Sequence, residues 1–246
     1  MFDFTIFSYA FLVGFVPALI WLGFWLLEDL KRPEPKALIL RAFIAGMLAV
    51  IVVLPLQKIA IDLIPGASLE HTTLPLILAW ATIEEIVKLA LAAILVLGNR
   101  AVNEPIDIPV YLITVALGFA ALENTLFILT PLGNGELVTS FITGNLRFLG
   151  ATLIHVLSSA VIAGSLAFTF YDSIGKKIRY GLLGVILAVT LHTLFNFFII
   201  NTRADNVLTI FAGVWVGIVF LLLSLERIKL VKRPAWWEKM FIKKKF

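Results

Sequence analysis

The sequence predicts an all-α protein: a polytopic membrane helix bundle of about seven transmembrane helices, with the amino terminus outside and the carboxyl terminus in the cytoplasm. Three observations predict it. Hydrophobic residues make up 61% of the 246-residue chain and charged residues only 15%, against a usual charged fraction of about a quarter, and the mean hydropathy is +1.02. A soluble domain of this length has too little polar surface to cover so apolar a content. The apolar residues also run continuously rather than alternating along the chain, which favours helices over a membrane barrel. Finally, Lys and Arg concentrate in alternate connections, which sets the orientation.

The apolar stretches cover about 5–27, 37–57, 74–97, 109–130, 147–170, 180–200 and 207–225, each long enough for a hydrocarbon core of about 30 Å. The first follows Asp3 rather than a basic segment and is too long for a signal-peptide core. The segment 58–73 reads as an outer loop with room for a re-entrant piece, and Asp62, Glu70 and His71 as its solvated residues. The segment 131–146, with Gly133, Asn134, Gly135 and Glu136, reads as an outer turn. Sixteen of the twenty Lys and Arg residues fall on one side: Lys31, Arg32, Lys36, Arg41, Arg100, Lys176, Lys177, Arg179 and those from Arg227 to Lys245. The other side holds Lys58, Arg147 and Arg203, and Lys88 is mid-span. The basic side is the cytoplasmic one. The whole chain, 1–246, reads as one integral membrane domain ending in a basic cytoplasmic tail, 226–246, with Trp236 and Trp237 at headgroup level. The net charge of +4 thus serves orientation, and its partner is the lipid bilayer rather than nucleic acid. There is no Cys, which excludes disulfides and thiol chemistry.

A charge inside a span costs about 2.5–3.5 kcal/mol on insertion scales, so each one is a functional hypothesis. Glu84, Glu85 and Lys88 lie in the third span, Glu123 and Asn124 in the fourth, His155, Ser158 and Ser159 in the fifth, and His192 and Asn196 in the sixth. On a helix, Lys88 projects between the directions of Glu84 and Glu85, and Glu84 to Lys88 is the favoured i,i+4 order for an ion pair. His192 and Asn196 share a face, as do His155 and Ser159. With a rise of about 1.5 Å per residue, Glu85 lies ~16 Å, Glu123 ~10 Å, and His155 and His192 ~12 Å from the outer ends of their spans. Four antiparallel helices therefore place these groups in one layer of the outer half. Interhelical glue, worth about 0.6 kcal/mol on average, suits Asn124, Asn196, Ser158 and Ser159 but not five ionisable groups at one depth. Two His and up to three carboxylates suit Zn²⁺, or a water activated by a carboxylate base. The four spans of 74–200 therefore read as a catalytic core.

The metalloprotease motif His-Glu-x-x-His is absent, as are a Gly-x-Ser-x-Gly nucleophile and an intramembrane Asp pair. Glu84-Glu85-x-x-Lys88, Phe119-x-x-x-Glu123-Asn124, a His in the next span, and His192-x-x-x-Asn196 together resemble the PrsW family of intramembrane proteases. That family is related to the type II CAAX prenyl endopeptidases. The CAAX branch has Glu-Glu-x-x-x-Arg and Phe-x-x-x-His, whereas this chain has Lys88 one position earlier and Glu123 in place of the His, so it resembles the PrsW branch instead. The resemblance implies a peptidase of the prokaryotic plasma membrane that cuts single-span membrane proteins on their outer side, an anti-sigma factor among them. The chemistry of the polar layer predicts site roles. Glu85 or Glu84 is the general base, and His155, His192 and Glu123 hold Zn²⁺ or orient the water. Lys88 pairs with the other Glu, and Asn196 donates to the oxyanion or orients His192. A non-catalytic scaffold of the same fold and an ion or proton transporter are the alternatives.

Overall fold

The structure is a computed structural model that describes residues 4–27, 33–69, 71–202, 206–235 and 237. Lys31, Arg32, Glu70, Arg203, Trp236 and the end of the basic tail lie outside the described residues. Eight α-helices are described, with no strand among the described residues: α1 (Phe4–Leu26), α2 (Lys36–Leu63), α3 (Leu74–Ala92), α4 (Asp107–Gly133), α5 (Leu137–Leu146), α6 (Thr152–Phe168), α7 (Ile174–Asn201) and α8 (Val207–Lys229). A π-helical turn, Ala93–Leu97, extends α3, and another, Arg147–Ala151, joins α5 to α6. Helices α1, α2, α4, α7, α8 and the rod Leu137–Phe168 are long and apolar enough to cross a membrane. Helix α3 occupies the expected third span and carries Glu84, Glu85 and Lys88.

Two connections are shorter than the sequence suggests. Helix α2 continues past Pro55 to Leu63, so Lys58 and Asp62 are helical rather than in a loop. Pro55 forfeits one backbone bond, yet the helix runs on behind it, where Ala60 is buried. The chain then turns at Gly66, whose φ of 73° favours glycine. No re-entrant piece forms among the described residues of 64–73. Likewise, most of the expected turn 131–146 is helix: the chain reverses over 134–136, with Gly135 at φ 77°, and α5 begins at Leu137. Val138, Phe141 and Ile142 on α5 are exposed apolar residues, suited to lipid rather than to an aqueous loop.

Helix α4 is the hub. Its residues from Asp107 to Ala121 are buried without a break, as α1, α2, α3, α5 and α6 all pack on it. The α2–α4 crossing depends on two glycines. A Cβ on Gly46 would lie 1.9 Å from the Val115 carbonyl oxygen, and one on Gly118 1.9 Å from the Phe43 carbonyl oxygen. Small residues allow such backbone approach where lipid supplies no hydrophobic drive between helices. Helices α3, α6 and α7 close around the hub, each touching the other two. The outward faces, with Leu40, Ile51, Ile86, Leu187 and Phe220, are apolar and exposed.

The connection before α4 is capped by Asp107, whose Oδ2 accepts from the amides of Asn103 and Glu104 at 2.7 Å each. Tyr111 donates to Glu34 at the same end. Arg233 lies 3.6 Å from Glu104. The Trp237 ring packs 5.7 Å from Phe170 and 5.2 Å from Tyr171, so this tail residue contacts the end of the α6 rod.

Candidate metal and hydrolytic centre

Helices α3, α4, α6 and α7 bring Glu84, Glu85, Lys88, Glu123, His155 and His192 into one buried cluster. It forms because each helix contributes its polar residues at one level and the bundle turns those faces inward. Outward-facing charges would meet hydrocarbon.

The Glu doublet is divided by its neighbours. Lys88 Nζ donates to Glu85 Oε1 at 2.6 Å, and His192 Nδ1 contacts the same oxygen at 2.8 Å. Ser159 reaches Glu85 Oε2 at 3.5 Å. The ion pair is therefore i,i+3 to Glu85, not the i,i+4 pair to Glu84 that the spacing favours. Lys88 faces α4 and α6, 4.9 Å over the Phe119 ring and 3.3 Å from His155 Nδ1. Glu84 turns the other way, where Gln57 Nε2 of α2 donates to its Oε1 at 2.8 Å. Glu84 Oε2 is buried and has no hydrogen-bond partner.

That oxygen faces both imidazoles. It lies 3.6 Å from His192 Nε2 and 3.9 Å from His155 Nδ1, and the rings meet edge-on at 4.9 Å and 87°. Each ring's other nitrogen is held by a carboxylate: His192 Nδ1 by Glu85 and His155 Nε2 by Glu123 Oε2 at 3.0 Å. Because Lys88 has only donors, it requires His155 Nδ1 to accept, which leaves the Nε2 proton for Glu123. Likewise, the Lys88-paired Glu85 carboxylate takes the Nδ1 proton of His192. The His192 Nε2 lone pair then faces Glu84 Oε2, while the His155 Nδ1 lone pair, 3.9 Å from the same oxygen, is taken up by Lys88.

Glu84, His155 and His192 each offer a ligand atom within 4.8 Å of the others. Bonds of about 2.0–2.1 Å in a tetrahedral zinc site put ligand atoms ~3.3 Å apart, shorter than the Glu84 distances of 3.6 and 3.9 Å, so the three groups would draw together around an ion. A carboxylate oxygen without a hydrogen bond, facing two imidazoles that each have a carboxylate behind the ring, is the donor set and outer support that zinc takes, once Lys88 yields His155 Nδ1.

Glu123 lies outside this triplet, on the far side of His155, where it pairs with Arg147. Arg147 Nε also donates to Asn124 Oδ1, whose amide donates to Thr152 Oγ1 at 3.0 Å. Asn196 is half-buried one turn beyond His192 and makes no hydrogen bond to the cluster. Two contributors are missed by sequence reasoning. Gln57 falls at the end of an expected span and carries no charge. Arg147 reads as an orienting charge at a span edge, whereas the π-helical turn that begins at Arg147 carries it down to Glu123. A charge at the very start of a span, with Asn145 two residues before it, is the one sequence signal there.

Residues 34–224 match the family described as PrsW family intramembrane metalloprotease. A protein named Protease PrsW from Geobacillus kaustophilus (strain HTA426) is 33% identical over 116 residues, 47% of this chain and 50% of that protein. The chain thus spans about half the length of this curated relative. No solved structure matches. Matched over more than half its length, the chain belongs to the PrsW family.

Proposed function

We propose that the protein is an intramembrane endopeptidase that hydrolyses membrane-anchored proteins at the Glu84–His155–His192 cluster. The observation that carries this is the buried Oε2 of Glu84, which has no hydrogen bond and faces two imidazoles that are each held by a carboxylate at the other ring nitrogen. Interhelical glue satisfies its polar atoms. Here one oxygen is kept open, as a water-activating carboxylate requires.

Glu84 Oε2 takes a proton from the attacking water as its oxygen adds to the scissile carbonyl carbon. It then returns the proton to the departing amine as the C–N bond breaks. His155 and His192 orient the water, and Glu123 and Glu85 hold the rings in the required tautomers. Lys88 neutralises Glu85, which leaves Glu84 as the reactive member of the doublet. Asn196, on the His192 face, offers its amide to the oxyanion. With zinc, Glu84, His155 and His192 would hold the ion, and Glu84 Oε2 would then be a ligand rather than the base, with Lys88 keeping Glu85 as its partner and giving up its contact with His155. A zinc ion held by these residues would supply Lewis-acid polarisation of the scissile carbonyl and a more acidic water.

The substrate class is a single-span protein, cut in the outer half of the bilayer of the prokaryotic plasma membrane. An anti-sigma factor is the substrate that fits a signalling role. The polar layer's depth and the outside placement of the amino terminus, both read from charge placement, support this side. Purified protein should contain one zinc per chain, and chelation should abolish cleavage of a single-span substrate until zinc is restored. Full cleavage by metal-stripped protein would instead assign the chemistry to Glu84 without metal.

A further inference from the structure

We propose that Gln57, on α2, is a positioning residue for Glu84: its side-chain amide holds Oε1 and so presents Oε2 to His155 and His192. The inference rests on the metal-holding, hydrolytic reading of the cluster, and assigns a role to a helix outside the four that carry the other polar groups.

The two oxygens of a Glu carboxylate exchange by rotation about a broad, low-barrier torsion. The burial of Glu84 does not by itself fix the angle of the carboxylate plane. Gln57 Nε2, donating to one oxygen at 2.8 Å, sets that plane so that the other oxygen faces the imidazoles. An amide also has no charge of its own, so it fixes the carboxylate without neutralising it, as a lysine at this place would. Gln57 is itself tied to α3: Trp80 Nε1 donates to the Gln57 carbonyl at 3.2 Å. Trp80 lies one turn before Glu84, so α3 grips the Gln57 residue through backbone and side chain together. This grip requires the continuation of α2 beyond Pro55, which carries Gln57 on a helix rather than in a loop. The neighbouring Lys58 is exposed and takes no part.

The test uses the full chain, purified in detergent, with Gln57→Met to retain length and remove the donor. Zinc affinity is measured by competition with a chromophoric chelator, and kcat and KM on a single-span substrate. Zinc affinity and kcat should each fall about 10–100-fold, as for other outer-sphere partners of metal ligands, with KM and the melting temperature unchanged. Lys58→Met should match the wild type. A folded Gln57→Met protein with wild-type zinc affinity and kcat would overturn the assignment while leaving the site's reading intact. If Gln57→Met does not fold, Trp80→Phe decides. Its affinity should drop about 3-fold for one lost neutral hydrogen bond, and no drop would refute the role. A wild-type protein that neither takes up zinc nor cleaves would overturn the reading of the site, and the role of Gln57 with it.

Discussion

At the scale of single residues, the cluster is organised by unequal partners. Glu84 and Glu85 are adjacent in sequence, yet one is saturated by Lys88, His192 and Ser159 and the other keeps an oxygen open. Lys88 is what makes burial of a second carboxylate affordable. Removing one member of a buried ion pair leaves the other uncompensated, at about 3–5 kcal/mol. Lys88→Met should therefore lower the melting temperature of the purified protein clearly, whereas exposed Lys58→Met should not. Equal melting temperatures for the two variants would show that Glu85 does not depend on Lys88. The sequence indicates which residues are polar and at what depth, and the motif order names most of them. It leaves open which Glu pairs with Lys88, because both spacings reach it and the choice is made by Phe119 and His155 on other helices. Gln57 is illegible for a different reason: an uncharged amide near a span edge costs little, so nothing in composition marks it.

At the scale of elements, continuous apolarity made the helices and their approximate ends readable. The rod Leu137–Phe168 and the extended α2 were not, because prolines and short polar runs resemble turns when the flanking packing is unseen. The π-helical turn at Arg147–Ala151 has no sequence signature, yet it sets Arg147 against Glu123 just before His155. Such turns recur at functional sites. The hub is sensitive at the α2–α4 crossing, where Gly118 meets the Phe43 carbonyl. Gly118→Val must push α4 off α2, moving Glu123 and Gln57 apart, and forced overpacking of this kind costs about 1–3 kcal/mol or more. The variant should melt earlier and lose activity, whereas Gly23→Val, with open space around its Cβ, should do neither. Wild-type stability for Gly118→Val would mean that the crossing is looser than the backbone contact implies.

At the scale of the whole molecule, a mostly apolar bundle conceals one polar layer, and that contrast was legible from composition alone. Scarcity of charge makes each intramembrane charge informative, and the bundle then gathers charges from four spans into one cluster. The proposed orientation, read from the charge bias of the connections, would put that layer in the outer half of the membrane, where an enzyme would release the outer portions of its substrates. The most direct test of the central claim compares the membrane proteomes of cells making the wild-type protein or Glu84→Gln. The account predicts new chain ends in the outer portions of one or a few single-span proteins with the wild type. With Glu84→Gln these should fall about 100-fold or more, at equal protein level and melting temperature. The same chain ends, formed at the same rate by folded Glu84→Gln, would contradict it.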